Sequence, residues 1–185
     1  IRERLLQLGG VRRDTGYEAI LMQGSGTFGV EAVISSVLPR DGKLLVIING
    51  AYGERTATMA ARHNIAATLL RWDENQLPDL ATIDQALESD LAITHVAVVH
   101  CETTAGILNP VARIGEIVKR HGREFIVDAM SSFGAIPLQL AEAGIDYLIS
   151  SANKCIEGVP GFAFVLARRE ALLKTAGRAR TLSLD

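Results

Sequence analysis

The sequence predicts an α/β protein with a mainly parallel central sheet and helices on both of its faces. Three observations predict it. Apolar, β-branched runs alternate with helical patterns from residue 17 to residue 175, as consecutive βαβ units do. The runs Leu44-Leu45-Val46-Ile47-Ile48 and Ala97-Val98-Val99 show no period-2 alternation, so both of their faces must be covered by helices. Small and polar residues gather just after the strands, the edge at which open sheets of this kind bind ligands.

Taken in order, residues 1–8 (IRERLLQL) read as an amphipathic helix stopped by Gly9-Gly10. A strand over 18–23 runs through Gly24-Ser25-Gly26 into a helix over 27–38, which Pro39 ends. A strand over 43–49, an Ala-rich helix over 53–63 and a strand over 66–71 follow. Residues 72–78 are a polar loop, and Pro78 precedes a helix over 79–89. After a strand over 94–100, Asn109-Pro110 supplies a polar cap and a proline at the first helical position, opening a helix over 110–121. Strands over 124–128, 147–151 and 162–167 complete the pattern. No repeat, low-complexity tract or Pro/Gly/Ser-rich linker divides the chain, so residues 1–185 read as a single domain. The absence of an initiating Met and an ending without a closing element lead us to expect a fragment of a longer protein.

Composition narrows the function. A hydrophobic share of 48% suffices for a sizeable core, and a formal net charge of −2 argues against a nucleic-acid partner. No run approaches the roughly 18 apolar residues of a membrane span, and Ile1-Arg2-Glu3-Arg4 lacks the pattern of a secretory signal. We therefore expect a soluble, cytoplasmic protein without a membrane partner. Cys101 and Cys155 form no disulfide framework and have no metal-ligand spacing; both read as ordinary small residues, and no metal site is expected.

The strand ends carry the chemistry. Gly24-Ser25-Gly26-Thr27-Phe28-Gly29 follows a strand and opens a helix, formally a G-x-G-x-x-G fingerprint. A nicotinamide-binding reading also requires an acid at the end of the next strand, where Asn49-Gly50 stands instead. What survives is a loop whose small residues let backbone N–H groups approach a phosphate, with Ser25 and Thr27 hydroxyls beside them. Asp128 ends the apolar run Phe125-Ile126-Val127, where a carboxylate either caps the following turn or meets a cation. Lys154 lies between two apolar strands in a stretch short of other charges, so its ammonium is expected to be partly desolvated, a condition suited to Schiff-base chemistry. Tyr52, flanked by small residues, has room to stack on a flat ligand or to cover the sheet edge. A phosphate cradle, an aromatic platform, a strand-end carboxylate and such a lysine together suit pyridoxal 5'-phosphate.

The motifs Gln23 to Thr27 (QGSGT), Asn49 to Arg55 (NGAYGER), His100 to Gly106 (HCETTAG), Val127 to Gly134 (VDAMSSFG) and Ser150 to Phe164 (SSANKCIEGVPGFAF) resemble the class V, fold-type I aminotransferases over essentially the whole chain. Within that class they are most similar to the branch that uses 2-aminoethylphosphonate and pyruvate. The alanine-glyoxylate and serine-pyruvate types share the layout with different residues around the lysine. The resemblance implies the large domain of the fold-type I transferases, an α/β/α sandwich, with pyridoxal phosphate as cofactor. It implies that Lys154 binds the cofactor aldehyde and later carries a proton, and that Asp128 pairs with the pyridine nitrogen. Gly26 and Thr27 would hold the phosphate with Ser25 adjacent, Tyr52 would stack where some relatives have Trp, and Thr103 would bond near the phenolic oxygen. Met130 and Asn153 would line the pocket. It also implies an N-terminal arm, a small C-terminal domain bearing a carboxylate-binding Arg, and a homodimer in which the neighbouring subunit completes the phosphate site.

Overall fold

The computed structural model describes residues 1–185. From the N-terminus, α1 (Arg2–Leu8) leads to β1 (Tyr17–Gln23), α2 (Gly26–Val37), β2 (Lys43–Ile48), α3 (Ala51–Arg62), β3 (Ala66–Arg71), α4 (Leu80–Ser89) and β4 (Ile93–Val99). A short hairpin of β5 (Cys101–Glu102) and β6 (Ile107–Leu108) precedes α5 (Val111–Arg120), and β7 (Glu124–Asp128), β8 (Tyr147–Ser151), β9 (Phe162–Arg168) and α6 (Arg169–Leu173) follow. Seven strands form one sheet in the order β1-β9-β8-β7-β4-β2-β3. Neighbours from β8 to β3 pair in parallel, and β9 alone runs against both of its neighbours. The C-terminal ends of β1, β2, β4, β7 and β8 therefore share one edge.

The uninterrupted apolar runs do what parallel strands require. Leu45, Ile47, Val96, Val98, Phe125 and Val127 face one apolar layer, built with α1, α4 and α5. Leu44, Val46, Ile48, Ala97 and Ile126 face the other, built with α2 and α3. Each large aliphatic side chain so buried contributes about 1.5–3 kcal/mol. No helix is long and apolar enough to cross a membrane.

Helix boundaries depart from expectation where the caps come from elsewhere in the chain. Helix α5 starts at Val111, so Pro110 occupies the cap position rather than the first turn. Asn109 does not cap it. Its amide pairs reciprocally with Asn49 at 2.8 and 2.9 Å and donates to the Val99 carbonyl at 2.8 Å. Helix α3 starts two residues earlier than its sequence suggests, because buried Glu102 accepts from the N–H groups of Gly53 at 2.8 Å and Tyr52 at 3.3 Å. The connection from β7 to β8 carries no helix. It crosses directly over α5, where the Ala143 carbonyl oxygen would lie 1.9 Å from a Cβ at Gly115.

Candidate active site

A cavity of about 410 Å³ opens at the shared C-terminal edge of the strands. Its lining includes Ser25, Gly26, Thr27, Tyr52, Thr103, Asp128, Met130, Asn153 and Lys154, so all nine residues singled out in the sequence meet in one place. They arrive on different elements because each follows the end of a strand that reaches the same edge.

Gly24 follows β1 at φ +135, a backbone conformation that favours glycine, and its N–H donates to the Gly161 carbonyl at 2.9 Å. This turn aims the start of α2 into the cavity. Ser25 caps the helix, its Oγ accepting from Phe28 N at 3.2 Å, and its carbonyl accepts from Gly29 N. The N–H groups of Gly26 and Thr27, at the first two helical positions, have no acceptor within the helix. A Cβ at Gly26 would lie 2.5 Å from the Met130 sulfur, so Met130 rests on the bare backbone there.

Asp128 is 9% exposed and ends β7. Its carboxylate does cap the following turn, accepting from Met130 N at 3.0 Å. Burial pushes its pKa up to about 6; the Met130 hydrogen bond opposes this, Glu102 adds to it, and Arg55 and Lys154 oppose it. A single hydrogen bond leaves the carboxylate short of a partner, which a cation in the cavity would supply.

Lys154 lines the cavity on the turn after β8, but it is exposed rather than partly desolvated. The sequence expectation fails because the apolar strands flanking residues 152–161 lie below the turn, and nothing in this chain packs over it. Asn153 beside it is exposed as well. Thr103 Oγ1 is hydrogen-bonded to Ser131 Oγ across the cavity mouth. Half-buried Tyr52 sits in the first turn of α3, with the Arg55 guanidinium carbon 4.9 Å from its ring centroid.

Other conspicuous polar residues take structural places. Glu102 is fully buried as the α3 cap, and burial raises its pKa. His100 lies behind Asp128, bonded through Nδ1 to Ser132 Oγ at 2.8 Å, and burial lowers its pKa. Cys101 lines the cavity with its thiol pushed up by burial, the opposite of an activated nucleophile. Asn49 spends its amide on Asn109 and the Gln76 carbonyl, so the end of β2 offers no acid for a ribose. Ser131, to which sequence reasoning gave no role, also lines the cavity, as does Arg55, which the sequence offers only as one of four arginines, with Arg12, Arg13 and Arg62, that could touch substrate. Arg55 stands at the end of NGAYGER, but a surface arginine has no signature of its role until its neighbours are known.

The family model for class-V aminotransferases matches residues 7–180. The chain belongs to the class-V aminotransferase family. It is 59% identical over all 185 residues to a 2-aminoethylphosphonate–pyruvate transaminase of Syntrophobacter fumaroxidans, covering 49% of that protein. It is 54% identical to one of Vibrio vulnificus, covering 50% of it. The chain thus spans about half the length of the curated relatives it matches. Among solved structures it is similar to ureidoglycine–glyoxylate aminotransferase from Bacillus subtilis, with a TM-score of 0.87 and 26% identity over 95% of this chain and 45% of that one. It is also similar to alanine–glyoxylate aminotransferase from Nostoc sp., with a TM-score of 0.86 and 26% identity over 97% and 46%. The α/β, fold-type I arrangement is that of these class-V aminotransferases, a family that implies pyridoxal phosphate. The residues present fit that group: free N–H donors for a phosphate, a buried carboxylate lacking a cation, and an amine in the same cavity.

Proposed function

We propose that this protein, in its full-length form, transfers the amino group of 2-aminoethylphosphonate to pyruvate, giving phosphonoacetaldehyde and L-alanine. The observation that carries this reading is the meeting of Lys154 and the buried, under-partnered Asp128 in one cavity with the open start of α2. The matching names of relatives at 59% and 54% identity favour this donor over those of the alanine–glyoxylate type.

Pyridoxal phosphate, when bound, supplies an aldehyde for amines and a ring that withdraws electrons from the adjoining carbon. Asp128 would hold a proton on the ring nitrogen, the charge pair giving its carboxylate the partner that a single hydrogen bond to Met130 N leaves it short of. The N–H groups of Gly26 and Thr27 would receive the phosphate, with the Ser25 hydroxyl free to donate because Phe28 N uses only its lone pair. Tyr52 would lie against the ring, and Met130 and Asn153 would shape its surroundings. The Thr103–Ser131 hydroxyl pair would donate to the ring oxygen. Lys154 would hold the aldehyde carbon in the resting state, then accept and return the proton at the substrate carbon, its exposed stem leaving it free to swing. We further read residues 1–185 as the large domain of a cytoplasmic homodimer; the half-length coverage of the relatives supports the large-domain part of that reading.

The test is a visible absorption titration of the full-length protein with pyridoxal phosphate, then borohydride reduction and peptide mapping. A new band with the label on Lys154 is expected, and Lys154→Ala should lose both band and turnover. A label on another lysine, or normal turnover in Lys154→Ala, overturns the assignment. A panel of amino donors separates 2-aminoethylphosphonate from alanine and serine.

A further inference from the structure

Arg55 is a guanidinium in the candidate cavity with no carboxylate at ion-pair distance, although its charge acts on Asp128. The acid next to it in sequence, Glu54, is held by Arg71 through hydrogen bonds of 2.6 and 3.1 Å. Arg55 forms no ion pair; its side chain lies over the Tyr52 ring, 4.9 Å from the centroid, and its Nη1 reaches Thr27 Oγ1 at 3.4 Å. The ring is a shelf that lays the exposed guanidinium beside the start of α2. Three kinds of donor then converge on one volume: the free N–H groups of Gly26 and Thr27, the Thr27 hydroxyl, and the planar fork of Arg55. A guanidinium fork matches two oxygens of a tetrahedral oxyanion, which a lysine in its place would meet only as a point charge. The cavity's one carboxylate, Asp128, lies on a different element and is already bonded to Met130 N.

We propose that Arg55 is the anion-recognising residue of this site, holding a phosphorus oxyanion between its guanidinium and the N-terminus of α2. The proposal rests on the cofactor and substrate reading above. Two sources share this chemistry, the phosphate of the cofactor and the phosphonate of the amino donor, and they separate by experiment.

The experiment uses the full-length protein and the variants Arg55→Gln and Arg55→Lys. In the first arm, the affinity for pyridoxal phosphate is compared with that for pyridoxal, which lacks the phosphate. If Arg55 holds the cofactor phosphate, Arg55→Gln weakens pyridoxal phosphate roughly ten- to a hundredfold, the weight of a charge-assisted contact, and leaves pyridoxal within about twofold. In the second arm, at saturating cofactor, KM and kcat are read for 2-aminoethylphosphonate and for an amino donor without phosphorus. If Arg55 holds the phosphonate, only the KM for 2-aminoethylphosphonate rises, by a similar factor, with kcat retained. Arg55→Lys should recover part of either effect by keeping the charge. Inorganic phosphate gives a readout without turnover: it should raise the melting temperature of the cofactor-free wild type and not of Arg55→Gln. If the wild type binds pyridoxal phosphate and Arg55→Gln matches it in both arms, Arg55 does not recognise the anion. If the wild type itself binds no pyridoxal phosphate, the cofactor reading has failed first and this assignment falls with it.

Discussion

Asp128 places a carboxyl in an apolar strand end with one hydrogen bond, and its energetics can be read from that alone. Its pKa in the folded chain is raised from an ordinary 3.8 to about 6. Below about pH 4 the carboxyl is neutral in both folded and unfolded chains and costs nothing. Between about pH 4 and 6 the folded state holds the proton more tightly, so stability falls as pH rises; above about pH 6 the full cost, roughly 3 kcal/mol, is present. Asp128→Asn keeps the acceptor for Met130 N and removes the charge. In denaturant unfolding of cofactor-free protein it should be about 2–3 kcal/mol more stable than wild type at pH 8, with the gain gone near pH 4. Equal stability at pH 8 would show that water reaches the carboxylate. The same variant should fail to support turnover, because the proposed partner of the ring nitrogen is gone. Stability and function would then move in opposite directions, as at many strained sites.

Two helix ends show how a distant residue decides a local boundary. Gly50 at the start of α3 has no side chain to cap with, and Glu102 serves in its place from across the cavity wall. Glu102→Ala should cost about 1–2 kcal/mol in urea unfolding, and it should weaken cofactor binding further by loosening Tyr52. A variant with wild-type stability would mean that water replaces the cap. In α5, Gly115 sits where Ala in a helix would ordinarily be the better residue by about 1 kcal/mol. Here the Ala143 carbonyl oxygen would lie 1.9 Å from the added Cβ, and backbone cannot step aside. Gly115→Ala should therefore destabilise by about 2–3 kcal/mol, read as a lower urea midpoint. At Gly26 the obstruction is the flexible end of Met130, so the same change should alter stability far less while narrowing the cavity.

Across the whole molecule, the sheet carries an apolar layer on each face and leaves its functional edge open. Fully buried Asp146, bonded to Phe125 N at 2.7 Å and Arg168 Nε at 2.6 Å and paired with Lys119, ties β7, β9 and α5 together at the opposite edge. One end is braced by a charge network, and the other presents an exposed lysine. Given that the chain spans about half of its relatives, residues 1–185 alone should bind pyridoxal phosphate at least tenfold more weakly than the full-length protein in parallel absorption titrations. Equal affinity would show that the cavity needs no further cover.

The strands were legible to within a residue or so, because continuous apolar runs bounded by Gly, Asn and Asp carry their own signal. So was the gathering of the candidate residues around one cavity: a parallel sheet sends every strand end to one edge, and chemistry-bearing residues after successive strands must then meet. The two-residue strands β5 and β6 and the helix-free crossing from β7 to β8 have no periodicity to betray them. Burial at the site was not legible either. The apolar strands around Lys154 suggested a covered amine, yet a turn beyond a sheet edge is covered only by what folds over it. The same holds for Asn109, an evident cap in sequence that spends its amide on Asn49, sixty residues away. Periodicity is a property of neighbours along the chain, whereas desolvation and hydrogen-bond partnership are properties of neighbours in space, and only the folded sheet sets those.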